Sequence, residues 1–347
     1  MAGKFSSYLQ DPKISEKWFK IKQFFFLKES TYDMTNKCNL DCEGCYYYAG
    51  DKSLVENQTD PENWRQMFQA EKARGITFVV LAGAEPALVP ELCRVAYEEI
   101  PHGAIATNGL KTIPKDINYK IHISVWGDDE YSETYRKVKA CLHKQLTAYK
   151  NDDRAVYIYT FTRENIDQVD EVAKQIVNAG GLLSFNQFSA PVNYLGDLKL
   201  DRYARDKMKD KTLNLMDKYK SSILYSSYNA EIHSHDKSLH ELFSCPYPRM
   251  NNKNKVVGLG KTFRQYRSDL TWDSSVACCV PDTDCGDCRH YAAGSAIVTS
   301  KLLSHVETKE SFSNWLDYVD TYLSVWVYGY EKSENLISSS KNKEIIV

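Results

Sequence analysis

The sequence predicts an α/β fold in which parallel strands form one sheet and helices cross over between them. Six apolar runs of strand length alternate with helical patterns between residues 24 and 188. This alternation is typical of βα repeats, which bring successive strands side by side and parallel. Polar side chains follow the strands where they end, and that edge carries the chemistry of such folds. An α/β barrel and a doubly wound sheet both fit this periodicity.

The strands are predicted from short runs rich in β-branched and aromatic residues. In chain order they are residues 24–34, 77–83, 104–109, 119–127, 155–161 and 182–188. Helices are predicted from apolar residues at helical spacing, with a capping box from Thr59 to Glu62 and a stop at Gly180 and Gly181. They are residues 59–75, 90–100, 132–150 and 165–181, and a last amphipathic helix covers 313–328.

The composition limits the class of protein. A length of 347 residues allows one large and one small domain, and a formal net charge of −2 gives no overall field that favours nucleic acid. The first residues contain no apolar segment of a secretory signal. The most apolar stretch, residues 77–93, contains Glu85 and two prolines and is too short to span a bilayer. We therefore expect a cytoplasmic protein without membrane or nucleic-acid partners.

Ten cysteines are unevenly distributed along the chain. Cys93 and Cys141 stand alone on predicted helices, where we expect packed thiols. The other eight form two groups, and their tight spacing without a signal peptide favours metal or cluster ligation over disulfides. The first group is Cys38, Cys42 and Cys45, and the second is Cys245, Cys278, Cys279, Cys285 and Cys288.

The first group offers three thiolates on one loop, with the spacing C-x3-C-x2-C. Structural zinc binds four ligands, commonly through paired C-x2-C units. A cubane iron–sulfur cluster that is held by three cysteines keeps one iron open for a small molecule. The odd number of thiols therefore favours a cluster with one reactive corner.

These three cysteines, placed directly after the first strand of an α/β pattern, resemble the cluster motif of the radical S-adenosylmethionine (SAM) superfamily. The stretch LAGAEP (81–86) is similar to that family's Gly-Gly-Glu-Pro segment. The stretch ENIDQVDE (164–171) keeps the Ile and the Glu of the family's Gly-x-Ile-x-Gly-x-x-Glu pattern, but neither glycine. Gly44 stands where an aromatic residue is usual, directly before the third cysteine.

The resemblance implies contacts between SAM and residues that match the family's motifs. Gly83 and Glu85 would bind the methionine amino group, Ser124 the ribose and Ile166 the adenine. Two asparagines would face SAM or the substrate, and a tyrosine after the motif would supply the missing aromatic contact. The candidate cofactor-binding residues are Tyr46, Gly83, Glu85, Asn108, Ser124, Ile166 and Asn186.

The resemblance also implies the architecture and the reaction. Residues 24–230 would form a partial (β/α)6 TIM-like barrel after an N-terminal extension (1–23). A small cysteine-rich C-terminal module (231–310) and a helix with a polar tail (311–347) would follow. A [4Fe-4S] cluster would pass one electron, from a donor such as flavodoxin or ferredoxin, to SAM. The resulting 5′-deoxyadenosyl radical would abstract hydrogen from an unactivated C–H bond, while the protein binds and orients the reactants.

The second cysteine group resembles the C-terminal twitch or SPASM modules of the same superfamily, which carry auxiliary iron–sulfur clusters. Cys245, Cys279, Cys285 and Cys288 are the expected ligands, with Cys278 as an alternate, and structural zinc stays open because C-x2-C units suit both. An auxiliary cluster could accept the electron left after hydrogen abstraction, which would give net oxidation or bond formation. If Cys278 is not a ligand, it could instead return a hydrogen atom, as in an epimerase.

The substrate is expected to be a small polar metabolite or sugar-like precursor of a specialised pathway. A peptide-modifying enzyme is the second interpretation, and the short stretch before Phe24 weakens it because it leaves no room for a peptide-recognition domain. A non-catalytic cluster or zinc scaffold is the third, but a scaffold would need neither Glu85 nor Ser124. The acidic balance disfavours a zinc-binding nucleic-acid protein.

A few other residues allow two roles. Arg249 and residues 261–267 could bind a substrate carboxylate or phosphate, or they could form a solvated basic strand. For His122 we expect a structural role rather than a catalytic one. Trp126, Tyr157 and Tyr159 could line the pocket, but we expect core packing for them.

Overall fold

The computed structural model describes residues 2–49, 51–190, 194–243, 249–250, 256–257, 263–272 and 298–333. Its strands are β1 (Glu29–Asp33), β2 (Phe78–Ala82), β3 (Gly103–Thr107), β4 (Lys120–Val125), β5 (Ala155–Phe161), β6 (Leu182–Gln187), β7 (Arg249–Met250), β8 (Val256–Val257) and β9 (Gln265–Tyr266). Seven of them form one parallel sheet in the order β6-β5-β4-β3-β2-β1-β9, and β7 pairs with β8 in an antiparallel ladder. Successive strands add in one direction, which is the winding of a barrel and not of a doubly wound sheet. Within the described residues the sheet does not close, so the predicted partial barrel is confirmed.

Helices connect the strands, and in the described parts of the chain two further helices precede β1 and two follow β9. They are α1 (Ala2–Tyr8), α2 (Pro12–Lys22), α3 (Tyr46–Ala49), α4 (Pro61–Ala73), α5 (Pro90–Glu99), α6 (Asp129–Arg136), α7 (Cys141–Ala148), α8 (Val169–Asn178), α9 (Arg202–Tyr219), α10 (Ser227–Ser234), α11 (Leu239–Phe243), α12 (Leu302–His305) and α13 (Lys309–Trp326). Short 3-10 turns occupy Asp51–Leu54, Pro86–Leu88, Ile166–Gln168, Lys220–Ser222 and Tyr330–Ser333. Among the described residues, none of these helices is long and apolar enough to cross a membrane.

The two faces of the sheet carry different side chains, because residues paired on parallel strands share a face. The outward row of Tyr32, Leu81, Ile105 and Ile121 is fully buried in a core with residues from α4, α5, α8 and α9. Burial of each large side chain contributes about 1.5–3 kcal/mol, and this holds the helices against the outside of the barrel. The inward residues near the carboxyl ends are smaller: Ala82, Ala106, Ser124, Thr160 and Asn186. They do not fill the barrel, so a cavity remains there.

The amino-terminal end of the barrel interior is closed by a second core. Phe78, Ala104 and Val156 point inward and pack there with residues of α2 and α13. His122 of β4 is tied to the end of this plug, since its Nε2 lies 2.9 Å from the carbonyl oxygen of Val325. Helix α13 therefore forms the floor of the barrel.

The six predicted strands are present, and β5 has the predicted bounds. The first strand begins later than predicted, because residues 24–27 continue the turns after α2. There, the backbone N–H of Phe24 donates to Ile21 and that of Leu27 to Phe24. The cap of α4 is Asp60 and not Thr59: its carboxylate accepts from the Glu62 N–H at 2.9 Å.

The predicted single helix over residues 132–150 is wrong. The chain forms α6 and α7 instead, because Lys137 (φ 58°) and Ala140 (φ 52°) adopt left-handed backbone conformations between them. Helices α1, α2, α9 and α10 were not predicted. In α9, for example, the four buried residues Ala204, Met208, Thr212 and Leu215 lie among a larger number of charged residues, which obscure the apolar spacing.

Candidate active site

A cavity of about 280 Å³ lies inside the barrel and reaches the carboxyl ends of the strands. The loop after β1, the segment after β2 and the ends of β4 and β6 all contribute to its wall. The predicted site residues that line it are Cys38, Cys42, Cys45, Gly83, Glu85, Asn108, Ser124 and Asn186. Side chains that are far apart in the sequence therefore meet at one edge of the sheet.

The cysteine loop (residues 38–45) is anchored to its neighbours through the backbone. The Glu43 N–H donates to the carbonyl of Tyr135 at 2.8 Å, which ties the loop to α6. Gly44 has a φ of 66°, and a Cβ atom there would lie 2.8 Å from the ring of Phe188. Position 44 therefore requires glycine for its backbone and for the space that the ring occupies. Phe188, at the end of β6, provides an aromatic ring where the local motif lacks one.

The three thiols of the loop fit a cluster better than a single ion. All three are partly exposed and line the same cavity. Within the described parts of the chain, no three His, Cys, Asp or Glu side chains are arranged to hold one metal ion. A cubane binds each thiolate through a different iron, so its ligands can stand farther apart.

The surroundings of Cys38 and Cys45 bear on cluster ligation in two opposite ways. The Leu40 N–H and Asn108 Nδ2 lie 3.4 and 3.8 Å from the Cys38 sulfur, and hydrogen bonds to sulfur tune such clusters. Burial raises the pKa of the Cys38 thiol and of the Cys45 thiol. Ligation therefore has to displace two protons that the folded protein holds more tightly than usual.

Glu85 is a buried carboxylate in the cavity wall, with 1% of its surface exposed. It accepts hydrogen bonds from the Ala87 N–H at 2.8 Å, the Thr107 hydroxyl at 2.6 Å and the Asn108 N–H at 2.7 Å. Burial raises the pKa of this carboxyl, while the three donors oppose the rise. The bonds fix the orientation of the carboxylate.

Gly83 brings the segment after β2 against the chain that leads to the cysteine loop. Its φ is 111°, and a Cβ atom would lie 3.0 Å from both Met34 N and Thr35 O. The Ala84 N–H donates to the same Thr35 oxygen at 2.9 Å. This close approach places Glu85 beside the cysteines.

Arg136, the last residue of α6, is a buried cation of the cavity wall that the sequence analysis missed. It is 3% exposed, donates from Nη1 to the Ser124 carbonyl at 2.5 Å and contacts the Cys42 thiol. Burial acts to lower its pKa, but the neighbouring Cys141, Cys42 and Glu85 side chains hold the pKa above its ordinary value. Its Nε has no hydrogen-bond partner within the described residues. No sequence signal identified it, because its burial depends on the unpredicted break between α6 and α7.

Three aromatic side chains, Trp126, Phe188 and Tyr194, contact one another beside the cavity. Trp126 follows the last residue of β4, and it is partly buried against the core and also lines the cavity. Its ring lies 5.8 Å from that of Phe188, which lies 5.2 Å from that of Tyr194. Tyr157 and Tyr159 are buried in the core as predicted.

Some predicted site residues do not join the cavity in the described structure. Ile166 is buried in the hydrophobic core beside α8, and it is not among the residues that line the cavity. The side chain of Tyr46 is outside the described structure. The second cysteine group also lies outside the described residues: Cys245, Cys278, Cys279, Cys285 and Cys288.

Two remaining expectations concern His122 and the basic stretch over residues 261–267. His122 is structural, as expected: it bonds to the Val325 carbonyl, and burial lowers its pKa to about 4. Arg264 belongs to the outer face of the sheet, where it contacts Glu71 and stacks over the Trp272 ring at 4.0 Å. It is not among the cavity-lining residues, and the side chain of Arg249 lies outside the described structure.

Comparison with known proteins finds partial matches. No family model matches the chain. The sporulation killing factor maturation protein SkfB of Bacillus subtilis is 28% identical over 167 residues, which cover 44% of this chain and 40% of that protein. The Fe-coproporphyrin III synthase of Methanosarcina barkeri is 24% identical over 156 residues, or 41% and 39% of the two chains. The matches thus span about two-fifths of these curated relatives.

The fold has a counterpart among solved structures. Native anSMEcpe with bound AdoMet and the Cp18Cys peptide superposes with a TM-score of 0.51 and 12% sequence identity, covering 89% of this chain and 99% of that one. At this identity the similarity concerns the fold alone. The partial barrel, the cysteine motif at the end of β1 and the partial similarity to the curated relatives together support the resemblance of this chain to the radical SAM superfamily.

Proposed function

We propose that this chain cleaves SAM reductively and uses the 5′-deoxyadenosyl radical to abstract hydrogen from a substrate C–H bond. The observation that supports this most directly is the shared cavity: three cluster-type thiols line it together with a buried carboxylate and a buried guanidinium. Cys38, Cys42 and Cys45 would hold a [4Fe-4S] cluster. That cluster would supply the electron that breaks the sulfonium C–S bond of SAM.

Glu85 and Arg136 match the two charges of the methionine part of SAM. The Glu85 carboxylate, held by three donors, would accept from the ammonium group. The Arg136 guanidinium has an Nε without a partner in the described structure and would donate to the carboxylate. Each buried charge would then be neutralised by the ligand, which offsets its desolvation.

The rest of SAM would lie across the carboxyl ends of the strands. Ser124 and Asn186 line the cavity where the ribose would pass, and the Phe188 and Trp126 rings offer apolar surface for the adenine. The adenine contacts that the family resemblance assigns to Ile166 and Tyr46 remain part of this proposal. An external donor, such as flavodoxin or ferredoxin, would supply the electron.

The substrate is proposed to be a small polar metabolite, because the inward residues near the strand ends are small and leave room beside the cysteine loop. A peptide-modifying activity fits about equally well, since SkfB is named as a maturation protein and anSMEcpe was solved with a peptide. In either case the second cysteine group is proposed to bind an auxiliary cluster that accepts an electron. Net oxidation or bond formation would follow, whereas hydrogen return from Cys278 would give epimerisation.

Anaerobic reconstitution with iron and sulfide, followed by SAM and dithionite, tests the activity. We expect 5′-deoxyadenosine from the wild type and none from Cys38→Ala/Cys42→Ala/Cys45→Ala. Cys93→Ala, which removes a buried thiol outside the cavity lining, is the control and should retain the product. About eight irons per chain would support two clusters, and about four would support one. A full cluster with bound SAM but no 5′-deoxyadenosine would exclude an autonomous radical enzyme.

A further inference from the structure

Asn108 follows the last residue of β3 and lies in the cavity wall beside the cysteine loop. Its backbone is held on both sides. The N–H donates to Glu85 Oε2 at 2.7 Å, and the carbonyl oxygen accepts from Gln145 Nε2 at 2.8 Å. Asn108 is also buried, so its side chain has little freedom to change position.

The side-chain oxygen of Asn108 belongs to the turn after β3. It accepts from the Leu110 N–H at 3.0 Å, across Gly109, whose φ is 74°. Asparagine and aspartate both form turns of this kind, because each has a side-chain oxygen at the same place. The turn therefore explains the oxygen of Asn108, but aspartate would serve it equally well.

The side-chain nitrogen of Asn108 donates toward the cysteine loop. Nδ2 lies 2.7 Å from Asn39 Oδ1 and 3.8 Å from Cys38 Sγ. A primary amide has two N–H groups, so one is available for each acceptor. Both the backbone and the side chain of Asn108 thus have partners in the protein, and the amide that aspartate lacks serves the cysteine loop.

Gln145, on α7, fixes the place of Asn108 from behind the cavity wall. It is 1% exposed, and it is not among the residues that line the cavity. Its Nε2 donates to the carbonyl oxygens of Asn108 and Ser124, each at 2.8 Å. Gln145 therefore joins the ends of β3 and β4 and acts on the site only through the residues that it holds.

We propose that Asn108 raises the reduction potential of the cluster by donating a hydrogen bond to Cys38, and that Gln145 is its positioning residue. A reduced cluster carries one more negative charge, and a donor to a sulfur ligand stabilises that charge. This role differs from the contact with SAM or substrate that the family resemblance implies for Asn108. It rests on the proposed function, in which Cys38 holds the cluster.

A redox titration of the reconstituted protein without SAM, followed by electron paramagnetic resonance, tests the role. Asn108→Leu removes the donor, and Asn108→Asp removes it while keeping the bond from the Leu110 N–H. In both variants the ratio of reduced to oxidised cluster at a fixed potential should fall about tenfold, which is about 59 mV for one electron. Gln145→Met should cause a smaller fall. Asn118→Leu, at an exposed asparagine outside the cavity lining, is the control and should leave the potential unchanged.

The affinity for SAM separates this role from a direct contact between Asn108 and SAM. We expect the dissociation constant of SAM, measured by anaerobic equilibrium dialysis, to change by less than about threefold in Asn108→Leu, because no hydrogen bond to SAM is lost. An unchanged potential together with weaker SAM binding would overturn the proposal and assign Asn108 to SAM.

A pulsed paramagnetic resonance experiment tests the hydrogen bond without altering Asn108. The side-chain amides of asparagine carry the heavy nitrogen isotope, and the SAM-free cluster is reduced. Asn39 supplies a second amide beside Cys38, so labelled Asn39→Asp removes that source and keeps the acceptor oxygen. We expect this variant to show a coupling between labelled nitrogen and the cluster. Absence of the coupling would overturn the proposal.

Formation of 5′-deoxyadenosine is measured on the same wild-type preparation. If this product forms and the potential does not respond to the substitutions of Asn108, the proposed role of Asn108 fails alone. If the potential responds and no product forms, the proposed function fails and the role of Asn108 at the cluster stands.

Discussion

Glu85 and Arg136 bury opposite charges in the wall of one cavity. The carboxylate has three protein donors, whereas the guanidinium has one bond to a carbonyl, a contact with the Cys42 thiol and an Nε without a partner among the described residues. A buried charge that lacks a full set of partners is costly in the free protein. An anionic ligand group would offset that cost, so the imbalance predicts carboxylate recognition at Arg136.

Substitution of Arg136 should remove discrimination for the SAM carboxylate. In the wild type we expect SAM to bind at least about tenfold more tightly than decarboxylated SAM, because a charge-assisted hydrogen bond contributes about 1.5–3 kcal/mol. Arg136→Gln should bring the two affinities close together, as measured by equilibrium dialysis under anaerobic conditions. Arg163→Gln, at an exposed arginine, is the matched control. Unchanged discrimination in Arg136→Gln would refute the assignment.

Gly44→Ala should impair the cysteine loop. The added methyl group would lie 2.8 Å from the Phe188 ring, and a left-handed alanine costs about 1–2 kcal/mol. We expect a lower iron content per chain after reconstitution. The double variant Gly44→Ala/Phe188→Leu should recover part of the iron, since it relieves the clash but not the backbone strain. Full iron content in Gly44→Ala would show that the loop tolerates both the clash with the Phe188 ring and the backbone strain.

His122 should make folding stability depend on pH. Its pKa is about 4 in the folded protein against 6.5 for the ordinary side chain, so the unfolded chain takes up the proton first as pH falls. The stability that neutral His122 provides is complete above pH 6.5 and is lost as pH falls toward 4. The loss amounts to about 3 kcal/mol at its limit. Urea unfolding of the wild type and of His122→Gln at a series of pH values measures it, and parallel curves would contradict the prediction.

Glu71 connects three elements on the outer face of the barrel. Its carboxylate, on α4, accepts from Tyr32 of β1 at 3.0 Å, from Tyr266 of β9 at 2.7 Å and from Arg74 at 2.7 Å, and Arg264 lies 3.5 Å away. The network attaches the short strand β9 to the edge of β1, where only two residue pairs are in register. Its members are spread over more than half of the chain, so local patterns gave no sign of it.

Glu71→Gln should destabilise the protein by about 1–3 kcal/mol, because it removes the buried carboxylate that pairs with the partly exposed Arg74 and Arg264. Glu62→Gln on the same helix is the control, since that side chain is 63% exposed and should change stability by less than about 0.5 kcal/mol. Chemical unfolding monitored by circular dichroism measures both. Equal effects of the two substitutions would show that β9 does not depend on Glu71.

At the scale of the molecule, the strand periodicity and the order of the motifs along the sequence predicted the parallel sheet and the residues that meet at its edge. Parallel strands place their carboxyl ends together, so the cysteine loop, Glu85, Asn108 and Ser124 were expected to meet, and they line one cavity. Arg136 was not predictable, because its burial follows from a helix break. The floor was also missed: Trp326 and Tyr322 reach the cavity through the packing of α13 under the barrel.

The central claim is that three thiols hold a cluster whose fourth iron binds SAM. Electron paramagnetic resonance of the dithionite-reduced protein, recorded with and without SAM, tests it most directly. We predict a reduced-cluster signal in the wild type whose g-values change when SAM is added. In Cys38→Ala/Cys42→Ala/Cys45→Ala, no signal should respond to SAM. A wild-type cluster signal that is identical with and without saturating SAM would contradict the account.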